Sequence, residues 1–510
     1  MLNLTPLARP WFAWQLRRET AIASPTHTER VQRRVLAQLL GEARQTAVGV
    51  GYGFDTIASY ADFASRVPMC RYEQIRPMVM RMVAGEPDML WPGRCLRFAQ
   101  SSGTSGGKSK YIPVTDASLR RNHYRGGALA VAAYLDSVPH SRLFGGKSLI
   151  LGGSFANELS DVPPDVCVGD LSATLIDRIN PAVNLLRVPA KKIALMADWK
   201  AKLPALAQAA LHADVTNISG VPSWFMTVLR TVLELAGADN IHQVWPHLEV
   251  FFHGGIAFGP YREQYEAITD PSKMHYVENY NASEGFFAVQ DDPSTHAMRL
   301  LLDAGVFYEF VPVEYMGDAD APLLPAWEVE AGRTYALVIT SCNGLWRYLI
   351  GDTVTVESTS PLRVTIAGRT NSFINAFGEE LMVWNADKAL AEACRRTGAA
   401  VSNYTAAPVY AACGTRGHHQ WLIEWDEEPS CGTEAFADIL DAALQAVNSD
   451  YQAKRSGGIF LARLELTTAP RGTFDRWLAS TGKLGGQRKI PRLANDRHII
   501  DSVLSLIRDS

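Results

Sequence analysis

The chain has 510 residues, of which 47% are apolar and 20% charged, and its formal net charge is −4. That length exceeds what one hydrophobic core holds, so about two or three domains are expected. Interspersed charges with no basic arm argue against a nucleic-acid surface, and no apolar run reaches the roughly 18 residues of a membrane span.

The start, Met1-Leu2-Asn3-Leu4-Thr5-Pro6, has no charged stretch followed by an apolar one, so no secretory leader is expected. Residues 28–45 carry apolar side chains at helical spacing, with Thr28 as the expected N-cap. Residues 57–83 read as helix and loop, broken at Val67-Pro68. Apolar runs at 95–99 and 111–114 read as strands on either side of a Ser/Gly/Lys loop. A helical stretch follows over 117–137, then a buried strand at 148–153 that ends in glycines. Residues 191–213 read as helix and 215–220 as a short strand, and Val221-Pro222 opens a helix through Leu235. This alternation indicates an α/β core over 145–290. Residues 306–311, 334–340 and 353–356 read as antiparallel strands. A domain boundary is expected just after Gly368-Arg369. Beyond it, helices at 384–396 and 433–448 mix with strands at 407–412, 420–425 and 459–467, a small α+β domain. The seven cysteines (Cys70, Cys95, Cys167, Cys342, Cys394, Cys413, Cys431) are scattered, odd in number and form no Cys-x-x-Cys, which points to a reduced, cytoplasmic compartment.

Five stretches carry chemistry. In the loop 101–110, eight of ten residues are Ser, Gly or Thr and two are lysines. Glycines turn backbone N–H groups towards one point, hydroxyls add donors and lysine adds charge, a set suited to a polyphosphate. Gly107-Lys108-Ser109 fits the phosphate loop of nucleotide triphosphatases, but Ser102 replaces its first glycine and Pro113 sits in a β-rich run where a helix should begin. The kinase or GTPase reading is therefore rejected, and the competing one is a flexible surface turn. In 276–285 a strand end runs into a polar turn with one carboxylate, Glu284. That suits a metal-bound nucleotide, against a helix N-cap at Ser283-Glu284. Gly351-Asp352, at a strand turn, would hold ribose hydroxyls, against a plain Gly-Asp turn. Gly368-Arg369 would place a guanidinium over a nucleotide, against an interdomain loop with an ordinary ion pair. The loop 482–492 carries cations after glycines, as phosphoryl and nucleotidyl transfer require, against a solvated basic loop. A nucleic-acid patch there is disfavoured by the acidic whole.

The order decides among these. Ser/Gly/Lys loop, Tyr-x-Ala-Ser-Glu-Gly, Gly-Asp, Gly-Arg and a late lysine together resemble the adenylate-forming superfamily. The details resemble one branch, the auxin-responsive Gretchen Hagen family of acyl acid–amido synthetases. The likeness extends over 46–54, Val67-Pro68 with Tyr72, 218–224 and 307–310. It implies an α/β fold: a large N-terminal domain with a β-rich section, 1–370, that binds ATP and the acyl acid, and a small mobile α+β C-terminal domain, 371–510. Carried over by motif, Ser102, Gly103, Thr104, Ser105 and Lys108 would hold phosphates. Gly254, Gly255 and Ile256, with Tyr280, Asn281, Ala282 and Ser283, would flank adenine. Glu284 would bind Mg2+, Asp352 the ribose with Arg369 nearby, and Lys489 matches the late catalytic lysine, acting with Lys108. The chain departs from the pattern at the hinge, with Asn371 and Asn375 where adenylating enzymes often carry Asp or Lys and then Lys. The spacing from Arg347 to Gly351-Asp352 is longer than in the wider superfamily.

The resemblance implies activation of a small carboxylic acid as its acyl-adenylate, then transfer to an amine or amino acid. Transfer to the thiol of coenzyme A and nucleotide binding without turnover are the alternatives. His253 and Glu309 are candidates for the base of the second step. Residues 121–129 around Tyr124, with Arg121 or Arg125 to meet a carboxylate, and the mostly apolar 170–176 are candidate walls of an acid pocket. Core packing and surface are the competing reading of both.

Overall fold

The computed structural model describes residues 3–101, 110–157, 159, 161–255, 258–316, 321–369, 373–374, 376, 379, 381–409, 417–448, 451–452, 455, 461–481, 490–494 and 496–508. By contacts the chain divides into two units, Met1–Ile256 with Gln264–Thr365, and Ala257–Glu263 with Ile366–Ser510.

The strands of the first unit begin with β1 (Arg97–Ser101), β2 (Lys110–Pro113), β3 (Lys147–Ile150), β4 (Cys167–Gly169) and β5 (Arg187–Val188). Next come β6 (Val215–Gly220), β7 (Val250–Gly254), β8 (His275–Ala282), β9 (Gly285–Val289) and β10 (Met298–Leu300). The series ends with β11 (Val306–Pro312), β12 (Leu324–Pro325), β13 (Thr334–Ser341), β14 (Leu345–Thr359) and β15 (Leu362–Arg369), whose end passes into the second unit. β1 and β2 flank the Ser/Gly/Lys loop and pair antiparallel, Ser101 opposite Lys110.

One sheet runs β12-β11-β13-β14-β15-β10-β9-β8-β7-β6-β3-β5. From β8 through β7, β6 and β3 to β5 its neighbours are parallel. β8 and β9 pair antiparallel, as do β11 with β13 and β13 with β14. The parallel part is buried by helices such as Trp199–Leu211 and Pro222–Ala236, as the strand–helix alternation predicts. Because β3, β6, β7 and β8 run the same way, their carboxyl ends share one edge. Open α/β sheets bind ligands outside that edge.

The helix expected at 28–45 spans Pro25–Ala43. Its cap is Ser24, which accepts from the His27 N–H at 3.4 Å, and Thr28 is buried inside it. Pro25 presets the first turn, so the start lies ahead of the apolar stripe. The break at Val67-Pro68 separates Tyr60–Arg66 from Tyr72–Val83. The stretch 117–137 is interrupted by a π-helical turn, Leu119–His123, before Tyr124–Ser137. The stretch 191–213 divides where Asp198 caps Trp199–Leu211. No helix among the described residues is long and apolar enough to cross a membrane.

The second unit carries the short pair β16 (Phe373–Ile374) and β17 (Leu381–Met382). Its main sheet joins β18 (Ala400–Val409), β19 (His418–Glu427) and β20 (Glu465–Ala469). Helices Val383–Thr397 and Thr433–Val447 contribute Leu390, Phe436 and Leu440 to a core around Trp421.

Candidate active site

β7 ends in Gly254, opposite Asn279 of β8. A Cβ on Gly254 would stand 2.3 Å from the Asn279 carbonyl oxygen, so only glycine permits this approach. Gly255 follows with φ +81°, in the left-handed region. Gly254→Ala is expected to cost about 1–3 kcal/mol through forced strand separation, read as a lower urea midpoint with unchanged slope.

Tyr-x-Ala-Ser-Glu-Gly forms the hairpin between β8 and β9, with Ala282 opposite Gly285 and Ser283-Glu284 as its turn. The alternative of a helix cap therefore does not hold: β9 follows. Tyr280 points its hydroxyl at Asp352 and donates to Oδ2 at 2.8 Å, with both side chains buried. Asp352 is not in a turn. Gly351-Asp352 lie inside β14, where the register against β13 slips between Ala336 and Val338 and Gly351 takes φ +97°. Such a bulge bends a strand and re-aims a side chain, which is how a residue 72 positions from Tyr280 reaches it.

Two asparagines fix the hairpin. Asn343, between β13 and β14, donates Nδ2–H to the Glu284 carbonyl at 3.0 Å, and the Ser341 hydroxyl donates to its Oδ1. Asn122, in the π-helical turn, donates to the Phe286 and Ala304 carbonyls at 2.9 and 3.0 Å and accepts from the Phe286 N–H at 2.6 Å. Asn343 is in no stretch that sequence reading singles out, and Asn122 falls in the candidate wall 121–129 without being named in it. An asparagine in a short turn carries no sign of a partner far along the chain.

Lys110, the second lysine of the loop 101–110, stands where the chain re-enters at β2. Its ammonium lies 3.4 Å from the Tyr348 hydroxyl and 5.9 Å from the ring centres of Tyr72 and Tyr348. Burial, and after it the charge of Glu284, pushes the Tyr348 hydroxyl well above its ordinary pKa, so it stays protonated.

The structure corrects two expectations. Glu309 is fully buried in an ion pair with Arg347, whose Nε lies 3.1 and 3.0 Å from its two oxygens and whose Nη2 lies 2.8 Å from Oε1, and Tyr60 donates to it at 3.0 Å. A carboxylate so paired is a structural anchor and not a base. Arg121 pairs with Glu42 at 2.7 Å, and Arg125 with Glu19 at 2.6 Å and Asp303 at 3.3 Å, so neither is held for a substrate carboxylate. The two candidate pocket walls do touch, since Tyr124 donates to the Leu175 carbonyl at 3.0 Å. Asp170 caps the helix Leu171–Asp177 by accepting from the Ser172 N–H at 2.7 Å. His253 is enclosed in β7, its ring 5.3 Å from that of Phe251.

Gly254, Gly255, Tyr280, Asn281, Ala282, Ser283, Glu284 and Asp352 thus fall in one unit, on β7, β8, the hairpin turn after it and the β14 bulge. Arg369 closes β15 in the second unit. Ser102, Gly103, Thr104, Ser105, Lys108, Ile256, Asn371, Asn375 and Lys489 lie outside the described residues.

Comparison with known proteins matches the GH3 family N-terminal domain to residues 22–274, its central domain to 299–369 and its C-terminal domain to 384–498. A probable indole-3-acetic acid-amido synthetase, GH3.4 of Oryza sativa subsp. japonica, is 24% identical over 93% of this chain and 88% of that protein. Among solved structures, the GH3.15 acyl acid amido synthetase superposes with TM-score 0.76 at 19% identity, covering 94% of each chain. A 2-hydroxyisobutyryl-CoA ligase in the postadenylation state superposes with TM-score 0.60 at 14% identity, covering 97% of this chain and 94% of that one. At such identities these likenesses establish the fold. Three domains of one family matched in order, from residue 22 to residue 498, establish more: the chain belongs to the GH3 family.

Proposed function

We propose that this GH3-family enzyme uses ATP to activate a carboxylic acid as its acyl-adenylate and then joins the acyl group to an amino acid. The observation that carries the reading is the buried Tyr280–Asp352 hydrogen bond beside the Ser283-Glu284 turn, at the carboxyl edge of the parallel strands. It fixes one carboxylate for ribose hydroxyls, and Glu284 in the turn is a second carboxylate, for the phosphate end. Gly254, Gly255 and Ile256, with Tyr280 to Ser283, flank adenine. Glu284 supplies one carboxylate, in the turn between β8 and β9. That donor set fits Mg2+, which takes few carboxylates and fills its shell with phosphate oxygens and water.

In the first half-reaction a carboxylate oxygen attacks the α-phosphorus and pyrophosphate leaves. Ser102, Gly103, Thr104, Ser105 and Lys108 hold the phosphates, Arg369 stands near the ribose and Lys489 offsets charge at the α-phosphate. In the second, the amine nitrogen attacks the acyl carbon, AMP leaves and the nitrogen gives up a proton. A mixed anhydride is already a good acyl donor, so orientation is the main requirement of that step. The small domain, 371–510, turns between the two steps. The described cysteines are free thiols, which fits a reducing, cytoplasmic compartment.

Carboxylate-dependent exchange of labelled pyrophosphate into ATP is the expected activity. No exchange across a broad acid panel overturns the adenylation reading. With an active acid, amide formation when amino acids are supplied is the expected second product. A thioester formed only with coenzyme A overturns that step.

A further inference from the structure

We propose that Tyr348 is a positioning residue that holds the Lys110 ammonium, at the exit of the Ser/Gly/Lys loop, ready for the oxygens of a polyphosphate. The proposal concerns the phosphate end of the site described above and rests on the nucleotide-binding part of that reading.

Three observations support it. The first is the geometry at the ammonium, 3.4 Å from a hydroxyl oxygen and 5.9 Å from each of two ring centres. No carboxylate pairs with Lys110 among the described residues. Aromatic faces attract a cation through the ring quadrupole without cancelling its charge. An ammonium held this way keeps its charge for an incoming anion, whereas Arg125, paired with Glu19 and Asp303, does not.

The second is the fixing of the clamp itself. Tyr348 is buried in β14, and both its neighbours bond to Cys70: the Cys70 N–H donates to the Arg347 carbonyl and the Leu349 N–H to the Cys70 carbonyl, each at 2.9 Å. The Tyr72 hydroxyl accepts from the Tyr111 N–H at 2.7 Å, which ties that ring to the residue after Lys110. A lysine side chain has four rotatable bonds to order. A fixed hydroxyl and the fixed Tyr72 ring carry out that ordering before the ligand arrives, the condition under which a charge stabilises a transition state without reorganising.

The third is location. Lys110 is the first described residue after the loop, opposite Ser101 across β1 and β2. Tyr348 also feels the charge of Glu284. A cation and a carboxylate that both act on one tyrosine suit a site that takes phosphate oxygens together with a phosphate-bound cation. Part of the phosphate charge that sequence reading gives to Lys108 then falls to Lys110.

The probe is inorganic pyrophosphate with Mg2+, titrated calorimetrically into the whole chain, alongside pyrophosphate exchange at saturating acid. Tyr348→Phe keeps the ring and removes the oxygen. It is expected to weaken pyrophosphate binding and raise the KM for ATP roughly tenfold, as for loss of one hydrogen bond to a charged group, with the KM for the acid unchanged. Lys110→Met is expected to lower exchange by about 10²–10³-fold. In the Lys110→Met background, adding Tyr348→Phe is expected to cost nothing more. An undiminished loss in that background, or an effect on the acid KM alone, overturns the proposal. Should Tyr348→Phe fail to fold, unchanged pyrophosphate affinity in Lys110→Met overturns it equally. If the parent chain shows no exchange with any acid but the pyrophosphate pattern holds, the amide-forming reading falls and this one stands.

Discussion

Glu309→Ala is expected to destabilise the first unit by about 3–5 kcal/mol, the range for removing one partner of a buried ion pair. The reason is the Arg347 guanidinium that would remain. It sits over the Phe63 ring at 5.7 Å and donates from Nη1 to the Ala64 and Val67 carbonyls at 2.8 and 2.7 Å, so it cannot turn to water when its carboxylate is lost. The pair ties the helix Tyr60–Arg66 to β11 and β14. Arg347 also takes φ +45°, a left-handed conformation that costs a non-glycine residue roughly 1–3 kcal/mol and persists only where neighbours over-determine it. Removing Glu309 weakens the grip that keeps it there. Replacing both partners by apolar residues of similar volume, Glu309→Leu with Arg347→Met, is expected to cost less than Glu309→Ala alone, because no charge is then stranded. Urea unfolding followed on the first unit's own transition checks both, since a chain of two units need not unfold in one step. Equal losses in the single and double variants would mean that the pair contributes through packing and not through charge. Tyr348 follows Arg347 directly, so a fall in ATP affinity should accompany the fall in stability.

What the sequence discloses here divides by range. The strands around the Ser/Gly/Lys loop, the break at Val67-Pro68 and the helix opened by Pro222 follow from local chemistry, and the structure has each of them. Asp352 stands out through its motif, yet its setting does not, because a bulge is a property of two strands and depends on where β13 slips. The same holds for Glu309 and Arg347, 38 positions apart, and for Arg125 and Glu19, 106 apart. A charge in a sequence does not carry the name of its partner. Asn122 and Asn343 are silent for this reason: each acts on backbone groups far along the chain. The helix Thr5–Thr20 is hidden differently, since Pro6 and Pro10 break the helical pattern that sequence reading seeks. The lysines divide likewise. Lys108 answers to a motif, whereas Lys110 is marked by what surrounds it.

Lys489→Ala is expected to lower adenylation by about 10²–10³-fold, the usual cost of removing one preorganised group that stabilises transition-state charge. Lys489 itself lies outside the described residues, but the segment immediately after it is well fastened. The Thr405 hydroxyl donates to the Pro491 carbonyl at 2.8 Å, the Ala406 N–H to the Arg492 carbonyl at 2.8 Å and the Ala494 N–H to the Ala406 carbonyl at 3.1 Å. The Arg492 guanidinium pairs with Asp387, which accepts from the Tyr404 hydroxyl at 2.6 Å, and lies over the Tyr404 ring at 5.3 Å. Burial opposes the charge on Arg492, but Asp387, Tyr404 and Tyr261 together outweigh it and keep the guanidinium protonated. The chain from Ile490 onward is thus stitched to β18, a construction that a solvated basic loop does not need. A lysine two residues before such an anchor has a short tether to a rigid element, which is what positioning a charge demands. Pyrophosphate exchange should therefore fall in Lys489→Ala while the melting temperature stays near that of the parent chain. Amide formation from a supplied acyl-adenylate should persist, because no phosphorus is attacked in that step. Full exchange activity in Lys489→Ala would remove the residue from its role, and loss of both half-reactions together would assign it to the fold of the small domain instead.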